Sequence, residues 1–245
     1  MMKVAALTTV SIAAILVSPH LGGEIPENAR DFVFWQIRVP RTIVGALTGA
    51  VLGLTGAAFQ CLFGNPLATP STTGTTAGAA LGALFALTLL PSSFYLGGWE
   101  LVISALIGAL AVAFPVALFA RRRRARLEDV LLAGVALTLA AGALNTGLQF
   151  QADLAATHRA VQWSLGSLSQ VGYQGVAILG PVCAACTVGL LMQNRGLEAL
   201  MAGEDRAFSQ GVDVAKLRTW VLLIGSLGVA ACVALCGPIA FVGLV

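Results

Sequence analysis

"QCLFGNPLATPSTTGTTAGAALG" occupies Gln60 to Gly82, between the apolar blocks "IVGALTGAVLGLTGAAF" and "ALFALTLL". It contains Pro66 and Pro70, Gly64, Gly74, Gly78 and Gly82, a run of Thr and Ser, Asn65, and no charged residue. A loop in water is normally more hydrophilic, and a tight turn is shorter. Proline stops a helix and frees carbonyls that need new partners. Glycine lets one backbone approach another closely. At membrane depth such irregular chain is tolerated only where protein or a cavity shields it. The stretch therefore predicts a bent segment tucked between two packed membrane helices.

The flanking composition agrees. Hydrophobic residues make up 58% of the 245-residue chain and charged residues 10%. Mean hydropathy is +0.88. A soluble domain carries roughly 25% charged residues. Apolar runs near the length of about 20 residues needed for a helical span recur throughout, whereas a β-barrel would show short alternating segments. The expected fold class is all-α, a polytopic transmembrane helix bundle formed as one domain over residues 1–245.

Seven spans and the beginning of an eighth are read, at residues 4–21, 42–63, 76–90, 101–120, 130–150, 175–192 and 220–236. The first resembles a signal peptide, but no small-x-small cleavage site follows, so it is taken as a helix. The run Arg121, Arg122, Arg123, Arg124 and Arg126 must lie outside the hydrocarbon, because each such residue costs about 2.5–3.5 kcal/mol at mid-bilayer. It reads as a topology signal and not as a nucleic-acid surface. With the N-terminus inside, Lys3, the Arg run, Arg195, Arg206, Lys216 and Arg218 are inside, while Arg30, Arg38, Arg41 and Arg159 are outside. That bias of ten against four follows the positive-inside rule. Trp35, Trp99, Trp163 and Trp220 fall at span edges or in loops.

Two stripes stand out. Gly45, Gly49, Gly53 and Gly56 lie near one face of the second span and predict close approach by another helix. Thr138, Gly142, Asn145 and Gln149 share one face of the fifth. Buried amides need partners or water, so this face reads either as a wet path or as interhelical hydrogen bonding. Cys183 and Cys186 form C-x-x-C inside an apolar run, and with Cys61, Cys232 and Cys236 they read as packing residues. His20 and His158 have no ligand-spaced partner, and no metal or cofactor is expected. The polar segment 193–219 shows a short helix pattern. Gly203 can cap it, Glu204 and Asp205 suit its first turn, and Gly211 supplies a left-handed stop.

Several segments, in order, resemble one family. "FVFWQIRVPRTIVGALTGAVLGLTGAAFQCLFGNPLATPSTTGTTAGAALGA", then "LLAGVALT", "WSLGSLSQV", "LEALMAGEDRAFSQGVDVAKLR" and "GPIAFVGLV", are similar to permeases of iron–siderophore and vitamin B12 ABC importers, the FecCD type. The N-P-L-A-x-P stretch is the most specific of these. The resemblance implies a bacterial inner-membrane permease that pairs with a second permease subunit, with ABC ATPase subunits and with a periplasmic or lipoprotein substrate-binding protein. It implies that Gly203, Glu204, Asp205, Arg206, Ala207, Phe208 and Gly211 dock the ATPase. It places Asn65 and Pro66 near the exit of the translocation path, to which the polar face Thr138, Asn145 and Gln149 is added. The family's outer-surface arginines suggest that Arg38 and Arg41 meet acidic groups of the binding protein, against a local ion pair to Glu24, Glu27 or Asp31, or contact with lipid phosphates. Pro40 is read as a tight extended entry to the second span. The family pattern has ten helices and runs on past "PIAFVGLV", so most of the eighth and all of the ninth and tenth are expected to lie outside this sequence.

The expected function is the permease subunit of an ATP-driven importer of a ferric-siderophore-type chelate, with cobalamin or haem as the alternative cargo. Lys3 and Lys216 are the chain's lysines and neither sits in a P-loop, so ATP hydrolysis is expected in a separate subunit. An ion-coupled transporter usually needs ionisable groups at mid-membrane, whereas the eleven acids here fall in loops or at span ends. An intramembrane enzyme would need a motif such as H-E-x-x-H, which the spans lack.

Overall fold

The computed structural model describes residues 2–23, 26–90, 99–122, 127–168, 172–239 and 241–244. Glu24, Arg123, Arg124 and Arg126 lie outside the described residues. The principal helices are α1 (Met2–Val17), α2 (Val39–Phe63), α3 (Thr75–Leu89), α4 (Trp99–Ala120) and α5 (Leu127–Gln149). They are followed by α6 (Leu154–Ser164), α7 (Gly172–Met192), α8 (Asn194–Met201), α9 (Glu204–Ser209) and α10 (Val214–Cys236). Five described helical stretches are long and apolar enough to cross a membrane, and the segments Ala6–His20 and Thr75–Leu89 are shorter apolar helices. Each of the seven expected spans is thus matched by a helix, the last beginning at Val214, six residues before its expected start, while the described residues after it form only a 3-10 turn, Val242–Leu244.

The core is built on α2 and α10. Buried residues of α2 join three apolar clusters, through Phe59 and Leu62, through Leu52, and through Val44 and Val51. In α10, 72% of the apolar window is buried, against 17% in α5, so α10 is central and α5 peripheral. One cluster gathers Phe63, Ala120, Val130, Leu197, Ala207 and Leu217. The ends of α2 and α4, the start of α5, and α8 to α10 therefore share one end of the bundle, here called the inner end, as the parity of spans requires.

Close helix contact occurs elsewhere than the sequence suggested. A Cβ on Gly49 or Gly53 would meet open space, and one on Gly45 would meet Leu168 Cδ1 at 3.4 Å. Only Gly56 of that stripe abuts backbone, at Gly243. The reason is that α2 packs chiefly through the adjacent, bulkier face of Val44, Val51, Phe59 and Leu62. The tight crossing is instead α3 on α4. Gly78 and Gly108 lie against each other's carbonyls, and Gly82 lies against that of Ser104. Cys183, Cys186, Cys232 and Cys236 are buried between α7 and α10, where Cys186 Sγ occupies the space beside Gly228.

The entry to α2 is helical, which corrects the expected extended geometry at Pro40. A turn at Arg30–Phe32 runs into a π-helical stretch, Val33–Arg38, and on into α2. The Val39 N–H donates to the Phe34 carbonyl, five residues back. Pro40 follows directly. Its ring has no N–H and would clash with the carbonyl four residues earlier in a regular helix. The wider turn makes room for it without ending the helix.

Candidate translocation and coupling site

The inner end of α2 stops at Gly64, whose left-handed φ of 56° closes the helix. Gly64 N donates to Cys61 O at 3.4 Å and Asn65 N to Gln60 O at 3.2 Å. Asn65 Oδ1 then accepts from Leu67 N at 2.9 Å, so Asn65 builds the turn through its side chain. Pro66 and Leu67 are exposed while Ala68 and Pro70 are buried, so the chain turns outward and then returns into the bundle.

Pro70 opens a 3-10 turn, Pro70–Thr73, that leads into α3. Its carbonyl accepts from Thr73 Oγ1 at 2.7 Å and from Thr75 Oγ1 at 2.9 Å. Both threonines are buried. The uncharged Thr-rich composition thus has a physical use, since the hydroxyls satisfy a backbone group in the place of water. Gly74 links turn to helix with φ 81°. A Cβ there would lie 2.6 Å from Val112 Cγ1 and 3.0 Å from Thr138 Oγ1.

The segment 193–219 folds as two short helices, α8 and α9, beside this loop, and its last residues open α10. α9 starts after Gly203 (φ 112°) and is closed by Gly211 (φ 79°). The Gly211 N–H donates to Phe208 O at 2.9 Å and that of Val212 to Ala207 O at 3.0 Å. Ala207 is fully buried, whereas Phe208 is 80% exposed. Glu204, Asp205 and Arg206 are exposed too. The outward face of α9 therefore carries Phe208 and charged residues, and Ala207 anchors the helix to the bundle. Glu204 also accepts a hydrogen bond from Arg218 Nη2 of α10, an ion pair in which Arg218 is mostly buried. A buried arginine left without a counter-charge would be strongly destabilising.

Loop and helix meet in one cavity of about 480 Å³, lined by Gln60, Asn65, Pro66, Met201, Gly203 and Glu204 among others. Cys61 Sγ lies 3.6 Å from Met201 Sδ on its wall. Asn65 and Pro66 thus stand beside the start of α9.

The polar face of α5 is divided. Thr138 Oγ1 donates to Gly134 O at 2.8 Å and packs by Gly74. Gly142 is exposed. Asn145 and Gln149 line a smaller cavity of about 130 Å³ between α3, α5 and α6, with Trp163 and Ser164 opposite. Asn145 Oδ1 is shielded from solvent and has no hydrogen-bond partner among the described residues.

At the outer end Arg38 is turned onto backbone. Its guanidinium donates to Pro19 O at 3.3 Å and to Gly23 O at 3.2 Å. Among the described residues neither Glu27 nor Asp31 forms an ion pair with it. Arg41 is exposed and shares a cavity with Arg38 between α1 and α2.

Some of this was not anticipated from sequence. α6 went unread although Asp153 caps it, accepting from Ala156 N at 2.6 Å, and an Asp before a helix-forming run is a usable signal. The Glu204–Arg218 pair joins two elements, and no spacing rule finds it.

The sequence pattern of the FecCD transport family matches residues 2–245. The chain is 36% identical over 222 residues to the cobalamin import system permease protein of Halobacterium salinarum, covering 90% of this chain and 58% of that protein. It is 34% identical to the vitamin B12 import system permease protein of Klebsiella pneumoniae, covering 98% and 73%. It is 30% identical to the hemin transport system permease protein of Yersinia pestis, covering 100% and 74%. The chain thus spans from just over half to about three quarters of the length of these curated relatives. Among solved structures, an inward-facing ABC transporter described as of the metal-chelate type superposes with a TM-score of 0.85 at 28% identity, over 98% of this chain and 76% of that one. As a multi-pass protein of the inner membrane, the chain belongs to the FecCD transport family.

Proposed function

We propose that this chain is a membrane-spanning permease subunit of an ATP-driven importer that brings a bulky metal chelate into the cytoplasm. The observation that carries the reading is the shared cavity at the inner end, where the charge-free loop at Asn65 and Pro66 meets the start of α9. A loop of this kind suits a constriction on the path, since its backbone is satisfied internally and exposes no charge to the cargo. α9 suits docking of a separate ATPase, since Phe208, Asp205 and Arg206 point away from the bundle. Motion of α9 would reach the loop through Glu204 and Gly203 on the cavity wall. The partners are ATPase subunits, a substrate-binding protein on the outer face and a second permease subunit. The polar face of α5, Thr138, Asn145 and Gln149, is assigned to the path on its outer side.

Relatives named for cobalamin and hemin favour a metal tetrapyrrole as cargo over a ferric siderophore. The test is uptake in cells lacking their own importers, supplied with the full-length permease and its ATPase and binding-protein partners. Labelled cobalamin, haemin and a ferric siderophore are offered separately. Uptake of one of them, abolished by Phe208→Asp while the variant remains in the membrane, is the expected result. Unchanged uptake by that variant would remove α9 from coupling, and transport of none of the three would overturn the cargo class.

A further inference from the structure

α9 has six residues, too few to hold a helix or an orientation by itself. A glycine of positive φ stands at each end, Gly203 and Gly211, so neither link dictates how the helix is turned about its axis. Two side chains tie it down. Ala207 is fully buried in the cluster that also holds Leu197, Leu200 and Leu217. Glu204 accepts a hydrogen bond from Arg218 Nη2 of α10. The Ala207 methyl fixes where the helix sits but offers little resistance to rotation. At about 100° per residue, Glu204 falls between Ala207 and Phe208 around the helix, at the seam between its buried and outward faces. An ion pair at that seam sets the direction in which Phe208 points.

The two ends of the pair differ. The Glu204 side chain is 56% exposed and that of Arg218 is 8% exposed. Arg218 lies near the start of α10, beside the buried Leu217 and Val221. α10 supplies residues to all three apolar clusters, so a group fixed to it is fixed to the core. A hydrocarbon side chain would often fill such a buried place at no loss of stability. Stability alone therefore does not account for an arginine there.

We propose that Arg218 is a positioning residue: through Glu204 it fixes the rotation of α9, keeps Phe208 outward and carries movement of α9 into α10. This rests on the reading of α9 as the helix that docks the ATPase. A guanidinium suits the role, since its planar fork holds a carboxylate in one orientation, whereas the ammonium of lysine is a point charge.

The test uses the full-length permease assembled with its ATPase and binding protein in proteoliposomes. The cargo is whichever of labelled cobalamin, haemin and ferric siderophore the cells take up, and the readout is cargo moved per ATP hydrolysed. Arg218→Met leaves behind only a half-exposed carboxylate, so the variant should assemble, while the ratio falls about tenfold. Arg218→Lys should recover part of it. Glu204→Gln takes a counter-charge from a buried cation and should lower the melting temperature in detergent. Adding Arg218→Met to Glu204→Gln should restore the melting temperature but not the ratio, a split that a purely structural pair would not show. A normal ratio for Arg218→Met, in a transporter that Phe208→Asp disables, overturns the proposal and leaves α9 as the docking helix. If Phe208→Asp also transports normally, the docking reading itself fails and the proposal falls with it. A double variant that recovers transport together with melting temperature, or an Arg218→Met variant that no longer assembles, makes the pair a structural prop and overturns the positioning role.

Discussion

Pro40 and Pro70 are both buried, and they have opposite consequences. At Pro40 the helix continues, because the π-helical stretch before it widens the turn. At Pro70 there is no helix to continue, since α2 has already closed at Gly64, and the chain makes a 3-10 turn before starting again at α3. The difference lies in the neighbours. Before Pro40, Val33 to Val39 are apolar apart from Gln36 and Arg38, and the nearby Thr42 hydroxyl donates to Arg38 O at 3.0 Å within the continuing helix. Around Pro70, Thr73 and Thr75 cap its carbonyl directly, and Gly74 admits the left-handed link. Pro40 is thus carried inside a helix by a wider turn, while Pro70 opens a turn whose carbonyl the neighbouring threonines serve.

The comparison can be broken most severely at Gly74. Gly74→Val would impose a left-handed backbone on a β-branched residue and push Val112 and Thr138. Strain and overpacking together should cost about 3–5 kcal/mol, seen as loss of folded protein in a detergent thermal melt. Next, the double change Thr73→Val and Thr75→Val keeps the shape but removes both donors. Loss of both hydroxyl donors to the Pro70 carbonyl should cost about 1–3 kcal/mol and lower the melting temperature. An unchanged melt would show that water reaches this carbonyl and that the threonines are not its source of satisfaction. The smallest effect is expected at Pro40. Pro40→Ala returns an N–H to a helix that already runs through, so stability should change by no more than about 1 kcal/mol. Hydrogen exchange should then show slow protection at residue 40. A large loss there would mean that the π-helical stretch depends on the ring and does not merely accommodate it.

Much of the bundle was legible because bilayer thickness fixes helix length and leaves a plain apolar signal. The break at Pro66 and Pro70 was legible for the same reason, since prolines and glycines without charge have few other uses at that depth. Packing was less legible. The glycines of α2 and of α3 look alike in sequence, yet Gly78 and Gly82 of α3 bring two helix backbones together, whereas in α2 only Gly56 meets backbone, at Gly243. Which face of a helix meets a neighbour depends on bulk elsewhere, and a stripe of small residues does not encode that. At the site, the caps of α9 at Gly203 and Gly211 could be read locally, while the Glu204–Arg218 pair joins residues whose meeting depends on the whole fold. Ala207 and Phe208 were read together as docking residues, and one turn of α9 separates them into an anchor and an exposed face.

Because the chain re-enters at Pro70, α3 is left with 15 residues. At 1.5 Å per residue that is about 22 Å of helix, well below the hydrocarbon thickness of about 30 Å. The remaining depth is filled by the buried turn at Pro70, Thr73 and Thr75, shielded by α4 and α5. Among the described residues the sector around α3 is therefore thin, as is α1, whose 16 residues also fall short of that thickness. Lipids that meet it must compress or tilt, at a fraction of a kcal/mol per ångström. Bilayers of shorter acyl chains relieve that mismatch and thicker ones increase it, so the sector around α3 makes the protein responsive to the thickness of the membrane that holds it.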